Sequence, residues 1–168
     1  MRAIFAIAAL LALSGCMSDG QPDQPAMYLS MANGGHTLDP QAAASMISQY
    51  RQNNGLGKVV VDPDLMKVAE AQSMAMASRN KLDHDVKAPL ARRLTSSGYP
   101  ASSAVENVSA GYHTLAEAFS GWRDSPPHRA NMLKSGVTRI GIAAVYVPGS
   151  KYKVFWALIL AAPDNKPS

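Results

Sequence analysis

The chain has 168 residues, a formal net charge of +4, 47% hydrophobic residues and a single cysteine. One cysteine excludes an intramolecular disulfide and a cysteine-rich metal site. The mild, scattered positive charge, without interleaved aromatics, argues against a nucleic-acid partner. The only tight basic cluster, residues 91–93 ("ARR"), reads as a solvated helix face.

Met1 and Arg2 precede an apolar run over 3–13, of signal-peptide length and too short to span a bilayer. The run ends in Leu-Ser-Gly-Cys at 13–16, which resembles the lipobox of bacterial lipoproteins. That resemblance implies cleavage before Cys16 and a diacylglycerol thioether on its sulfur, with fatty acids such as palmitate, so that the membrane is one partner. It also implies an extracytoplasmic, envelope-anchored protein, sorted to the outer membrane and facing the periplasm if the cell is Gram-negative. The expected organisation is a signal peptide over 1–15, a flexible Gly/Pro/Ser-rich tether over 16–37, one domain over 38–162 and a tail over 163–168.

Asp39 followed by Pro40 is an N-cap and first-turn pair, and it predicts a helix ending at Gly55 with Ala43, Met46, Ile47 and Tyr50 as its apolar stripe. Asp62-Pro63 repeats the signal for a second helix, with Leu65, Val68, Ala69, Gln72 and Met76 on one face. Met66, Met74 and Met76 are expected to fill core gaps. A shorter helix fits 88–98, and Thr114 with Glu117 forms a capping-box pattern that turns Leu115, Ala118, Phe119 and Trp122 inward. From Thr138 the period changes. Two apolar runs around Pro-Gly-Ser predict a β-hairpin, and the second run, apolar on both faces from Val154 to Leu160, predicts a central strand. Early helices and late strands give an α+β fold with an antiparallel sheet.

Four histidines remain to be placed. His36 lies in the tether and His113 precedes a helix cap; neither has chemistry around it. His84 lies in "KLDHD", past the second helix, and His128 in "SPPHRAN" at a helix start fixed by two prolines. Between them Glu106 opens what reads as a loop, "VENVSAGY".

In this order and spacing, "LDH", "ENVSAGY" and "GWRDSPPHRANML…IGIA" resemble the CAP superfamily. It is also called SCP-like, after cysteine-rich secretory proteins, antigen 5 and pathogenesis-related proteins. The match is to the short bacterial branch, over about residues 40–161. The resemblance implies a three-layer α-β-α sandwich and a cleft that gathers two histidines and two acids. His84, Glu106 and His128 match three of the four. Where long members carry the second acid this chain has Ser125, with Asp124 beside it as a substitute.

His128, at the positive end of a helix, is expected to stay neutral, the form that ligates metals. His84, His128 and Glu106 as donors suit Zn²⁺, or Fe²⁺, with water completing the shell. The alternative is a metal-free hydrogen-bonded cluster. Arg129 and Asn131 read as structural. Two functions follow. The preferred one is a binding module whose lipid, small-molecule or protein ligand occupies the His/Glu cleft. The other is a metal-dependent hydrolase in which Glu106, the candidate catalytic residue, activates water. Neither HExxH nor GxSxG is present to support the second.

Overall fold

The computed structural model describes residues 24–164. The expected signal peptide, the lipobox with Cys16 and the last four residues lie outside the described residues. Within them the chain forms α1 (Pro40–Asn53), β1 (Val60–Val61), α2 (Pro63–Arg79), α3 (Leu90–Ser96), β2 (Ala101–Ala110), α4 (Leu115–Asp124), α5 (Pro126–Met132), β3 (Arg139–Tyr146) and β4 (Val154–Pro163). No helix among the described residues is long and apolar enough to cross a membrane.

The helix starts form where the local chemistry dictates. Asp39 accepts from the amides of Gln41 and Ala42, and Asp62 from those of Asp64 and Leu65; in both helices the following proline takes the first position. Thr114 and Glu117 close the reciprocal capping box of α4.

The strands form one sheet in the order β1-β3-β4-β2. β3 and β2 both run antiparallel to β4, and the two residues of β1 pair parallel with β3. β4 is central and covered on both faces, as its sequence predicts. Trp156, Leu158 and Leu160 join Ile47, Leu115, Trp122, Met132, Ile140 and Ile142 in one core. Phe155, Ala157, Ile159 and Ala161 join Leu65, Val68, Ala69, Met76 and Leu94 in the other. The sheet thus separates an α1–α4–α5 layer from an α2–α3 layer. α2 lies so close to β3 that a Cβ at Gly141 would collide with the main chain of Leu65.

Four expectations are corrected. The tether does not run to residue 37: residues 26–28 and 31–33 form 3-10 turns, and buried Met31 donates its amide to the His113 carbonyl at 2.7 Å. Met74 is exposed, because it lies on the far side of α2 from Met76. Phe119 is only partly buried and meets Tyr50 edge-on. Glu106 lies within β2, not at the mouth of a loop. Its segment, rich in Ser and Ala, has weak strand propensity of its own and is made a strand by pairing with β4.

Candidate functional site

β2 is an edge strand, and this is what assembles the site. Successive side chains of a strand point to opposite faces, so Glu106 enters the α2–α3 layer and Asn107 enters the α5 layer. Segments from both layers then reach the same stretch of strand.

On the first face, the Glu106 carboxylate has two partners. Its Oε2 lies 2.9 Å from His84 Nδ1 and its Oε1 accepts from Arg93 Nη2 at 2.7 Å. The carboxylate is almost fully buried, Arg93 is 10% exposed and His84 is 54% exposed. Arg93 also donates through Nε to the Ala88 carbonyl at 3.0 Å. Beneath the histidine, buried Gln72 donates from Nε2 to the carbonyls of Asp83 and His84, both at 2.9 Å, and so fixes the loop that carries it. The loop is fixed again where Asp83 accepts from the amide of Asp85 and from Lys81.

On the second face, Asn107 Nδ2 donates to the His128 carbonyl at 3.0 Å, and Asn131 Nδ2 donates to the Glu106 carbonyl and to Asn107 Oδ1, each at 2.9 Å. Asn131 is therefore structural, as expected. The α5 helix is held from its other side by Arg51. This buried guanidinium donates to the carbonyls of Gly57, Met132, Lys134 and Val137 at 2.8–3.2 Å. The two prolines do start α5. The His128 ring, partly buried, makes no hydrogen bond among the described residues.

The two histidines are driven apart in proton affinity. The hydrogen bond to Glu106 raises the pKa of His84, helped by the charges of Glu106 and Asp85 and opposed by burial and by Arg93. Burial lowers that of His128, and the nearby charge of His84 lowers it further. His128 is thus disposed to be neutral, as expected, but through burial and its neighbour. His84 is shifted the other way, toward the charged form, where the sequence leads one to expect a neutral ligand.

Glu106 is not placed to be a direct metal ligand. Both of its carboxylate oxygens are engaged, one by the Arg93 guanidinium and the other by His84 Nδ1. Among the described residues no group of three or more His, Cys, Asp or Glu is placed to hold a metal. Asp124 does not replace the missing acid: it is exposed and pairs with Arg123 at 2.9 Å. Ser125 caps α5 by backbone conformation alone, with no side-chain hydrogen bond to the helix.

Sequence reading missed Arg93 by treating its cluster as solvated. The signal was present: Leu90, Arg93 and Leu94 fall at i, i+3 and i+4, on one helix face, whereas Arg92 falls outside it and is exposed.

The sequence model of the cysteine-rich secretory protein family, CAP, matches residues 44–160. The chain is 30% identical over 137 residues to protein YkwD of Bacillus subtilis, covering 73% of this chain and 53% of that protein. The chain thus spans about half the length of that relative. Among solved structures, an extracellular SCP-domain protein of Bacillus anthracis superposes with a TM-score of 0.64 at 24% identity, over 73% of this chain and 39% of that one. An outer surface protein of Borrelia burgdorferi superposes with a TM-score of 0.66 at 17% identity, over 77% of this chain and 99% of that one.

Proposed function

The chain belongs to the cysteine-rich secretory protein (CAP) family, and from that premise we propose that it is an extracytoplasmic, lipid-tethered binding module without a catalytic step of its own. The observation that carries this reading is the state of Glu106. A general base needs a carboxylate free to take a proton. This one accepts from Arg93 and faces His84, so it serves as the fixed centre of a recognition cluster. His84, half exposed, and His128, whose ring makes no hydrogen bond among the described residues, are the groups offered to a ligand. The extracytoplasmic placement is supported by the lipobox-like 13–16 segment and by relatives described as extracellular and outer-surface proteins. Cys16 is the site of the anchor.

The test combines three measurements on purified protein. Molecules that co-purify are extracted and identified by mass spectrometry from the wild type and from His84→Ala and His128→Ala. Zn²⁺ is titrated calorimetrically, and fractionation compares wild type with Cys16→Ser. The reading expects a ligand depleted in both histidine variants, no stoichiometric tight Zn²⁺ binding, and release of Cys16→Ser from the membrane fraction. Zn²⁺-dependent hydrolysis abolished by Glu106→Gln would overturn the binding reading; an unchanged membrane-bound Cys16→Ser would overturn the anchor.

A further inference from the structure

Two asparagines of the chain are followed by glycine, Asn33 and Asn54. Both are exposed. An asparagine carboxamide and the next main-chain nitrogen can close a five-membered ring. Glycine, with no Cβ, leaves that nitrogen open to approach. The two pairs share this chemistry, and the fold treats them oppositely.

Asn54 caps the end of α1. Its Nδ2 donates to the Tyr50 carbonyl at 2.8 Å, and the Gly55 amide donates to the Gln52 carbonyl at 3.0 Å. Leaving group and nucleophile are both held. The ring closes there only if the end of α1 comes undone.

Asn33 ends the second 3-10 turn, and Gly34 after it is left-handed, with φ 68°. Neither Asn33 Nδ2 nor the Gly34 amide has an acceptor in hydrogen-bond geometry among the described residues. The Asn33 Oδ1 accepts from the Gly35 amide at 3.1 Å. This folds the side chain forward along the main chain. A Cβ placed on Gly35 would lie 3.5 Å from Oδ1 and 3.9 Å from Cγ. The loop closed by that hydrogen bond contains both Cγ and the Gly34 nitrogen, so the two atoms that would join share one turn.

We infer that Asn33 is a site of spontaneous modification, in which the Gly34 nitrogen attacks Asn33 Cγ and closes a succinimide, and that the fold protects Asn54 from the same fate. The Gly34 nitrogen gives its proton to solvent base and bonds to Cγ. Negative charge collects on Oδ1, where the Gly35 amide already donates. The Cγ–Nδ2 bond breaks, and Nδ2 takes up a proton and departs as ammonia. Water then opens the ring at either carbonyl. One opening leaves aspartate; the other leaves isoaspartate, whose main chain runs through the side chain. Nothing is oxidised or reduced, and water is the sole co-reactant.

The site lies in the segment that seats residues 26–36 on the domain. Met31 donates to the His113 carbonyl, His36 Nδ1 lies 3.2 Å from the Ser30 carbonyl, and Gly34 lies against the Tyr146 ring. Isoaspartate adds a carbon to the main chain inside that turn, and either product adds a negative charge. Modification therefore loosens the turn and leaves both cores intact. The inference goes beyond the binding-module reading and stands independently of it.

The test ages the purified full chain in mildly alkaline buffer, folded and in urea. Peptides are then mapped by mass spectrometry, with isoaspartate resolved from aspartate. In the folded chain, products at Asn33 should accumulate at least tenfold faster than at Asn54, include isoaspartate, and form faster as pH rises. In urea the two sites should react alike. Hydrogen exchange at the Met31 amide should be faster in the aged wild type than in Asn33→Ser aged alongside it. Equal rates at the two sites in the folded chain overturn the inference, as does an Asn33 that reacts in urea but stays intact when folded. Aspartate without isoaspartate would mean direct hydrolysis by water and remove the attack by Gly34. Unchanged exchange at Met31 would overturn the loosening of the turn.

Discussion

Glu106 and Asn107 are neighbours in β2, yet one is held by Arg93 and His84 on one side of the sheet and the other by Asn131 and the His128 carbonyl on the other. A single dipeptide on an edge strand thereby ties two helical layers to the same point. His84 and His128 are delivered from opposite faces of the sheet, near enough for the charge of the first to lower the proton affinity of the second.

The opposed shifts of these histidines are directly measurable. The folded pKa of His84 lies above its ordinary 6.5. Its protonation therefore stabilises the fold fully below about pH 6.5, and that contribution fades as pH rises through the folded value. His128 has the reverse sign: its folded pKa lies below 6.5, so stability contributed by its neutral ring is present above 6.5 and is lost as pH falls through the folded value. Ring NMR titration should place the His84 midpoint above 6.5 and that of His128 below it. Glu106→Gln should lower the first and His84→Ala should raise the second. Coincident midpoints in the wild type would refute the coupling.

Arg51 should be among the most sensitive positions. Arg51 is 1% exposed and serves four carbonyls, of which those of Met132 and Val137 are buried. Arg51→Met leaves those acceptors unpaired, and an unsatisfied buried group costs about 1–3 kcal/mol, so a total loss of roughly 3 kcal/mol or more is expected in chemical denaturation. Arg51→Lys should rescue little, since a point ammonium cannot span the same fork. A variant within experimental error of wild type would show that α5 is held by other contacts.

The aromatic core sorts by burial. Trp122 and Trp156 are both fully buried and stand edge to face, their rings 6.4 Å apart. Replacing either by Ala should remove about 3–5 kcal/mol. Phe119→Ala should lose clearly less, because the ring keeps part of its surface in water at the α1–α4 groove. Equal losses for all three would mean that Phe119 is packed more deeply than its exposure indicates.

Gly141→Ala tests the approach of α2 to β3. The added methyl meets the Leu65 main chain, which cannot rotate aside, so overpacking of about 1–3 kcal/mol or more is expected. Gly121→Ala meets the ring and hydroxyl of Tyr112 instead. A side chain can swing away, so the thermal midpoint of this second variant should fall less. The opposite ranking would place the tight contact elsewhere.

What could be read in the chain follows from range. Asp39-Pro40, Asp62-Pro63 and the Thr114–Glu117 box act within four residues, so their helices were legible. β4 was legible because burial on both faces leaves a continuous apolar run. β2 was not: with Ser, Ala, Asn and Glu dominating, it is a strand only because β4 lies beside it, more than 40 residues on. The same limit hid the ion pair of Arg93 with Glu106, which takes that carboxylate out of a direct ligand set. Proximity of His84 to Glu106 was legible only through the family resemblance.

The last strand among the described residues, β4, is an inner strand of the sheet. β2 has no partner until β4 arrives, and the long antiparallel pairing of β3 also waits for it. Contacts of such sequence separation form late and slowly. While the chain is being synthesised, the sheet therefore cannot close until β4 has emerged. Loss of the final dozen residues of the fold would remove both cores at once, leaving no smaller folded remnant.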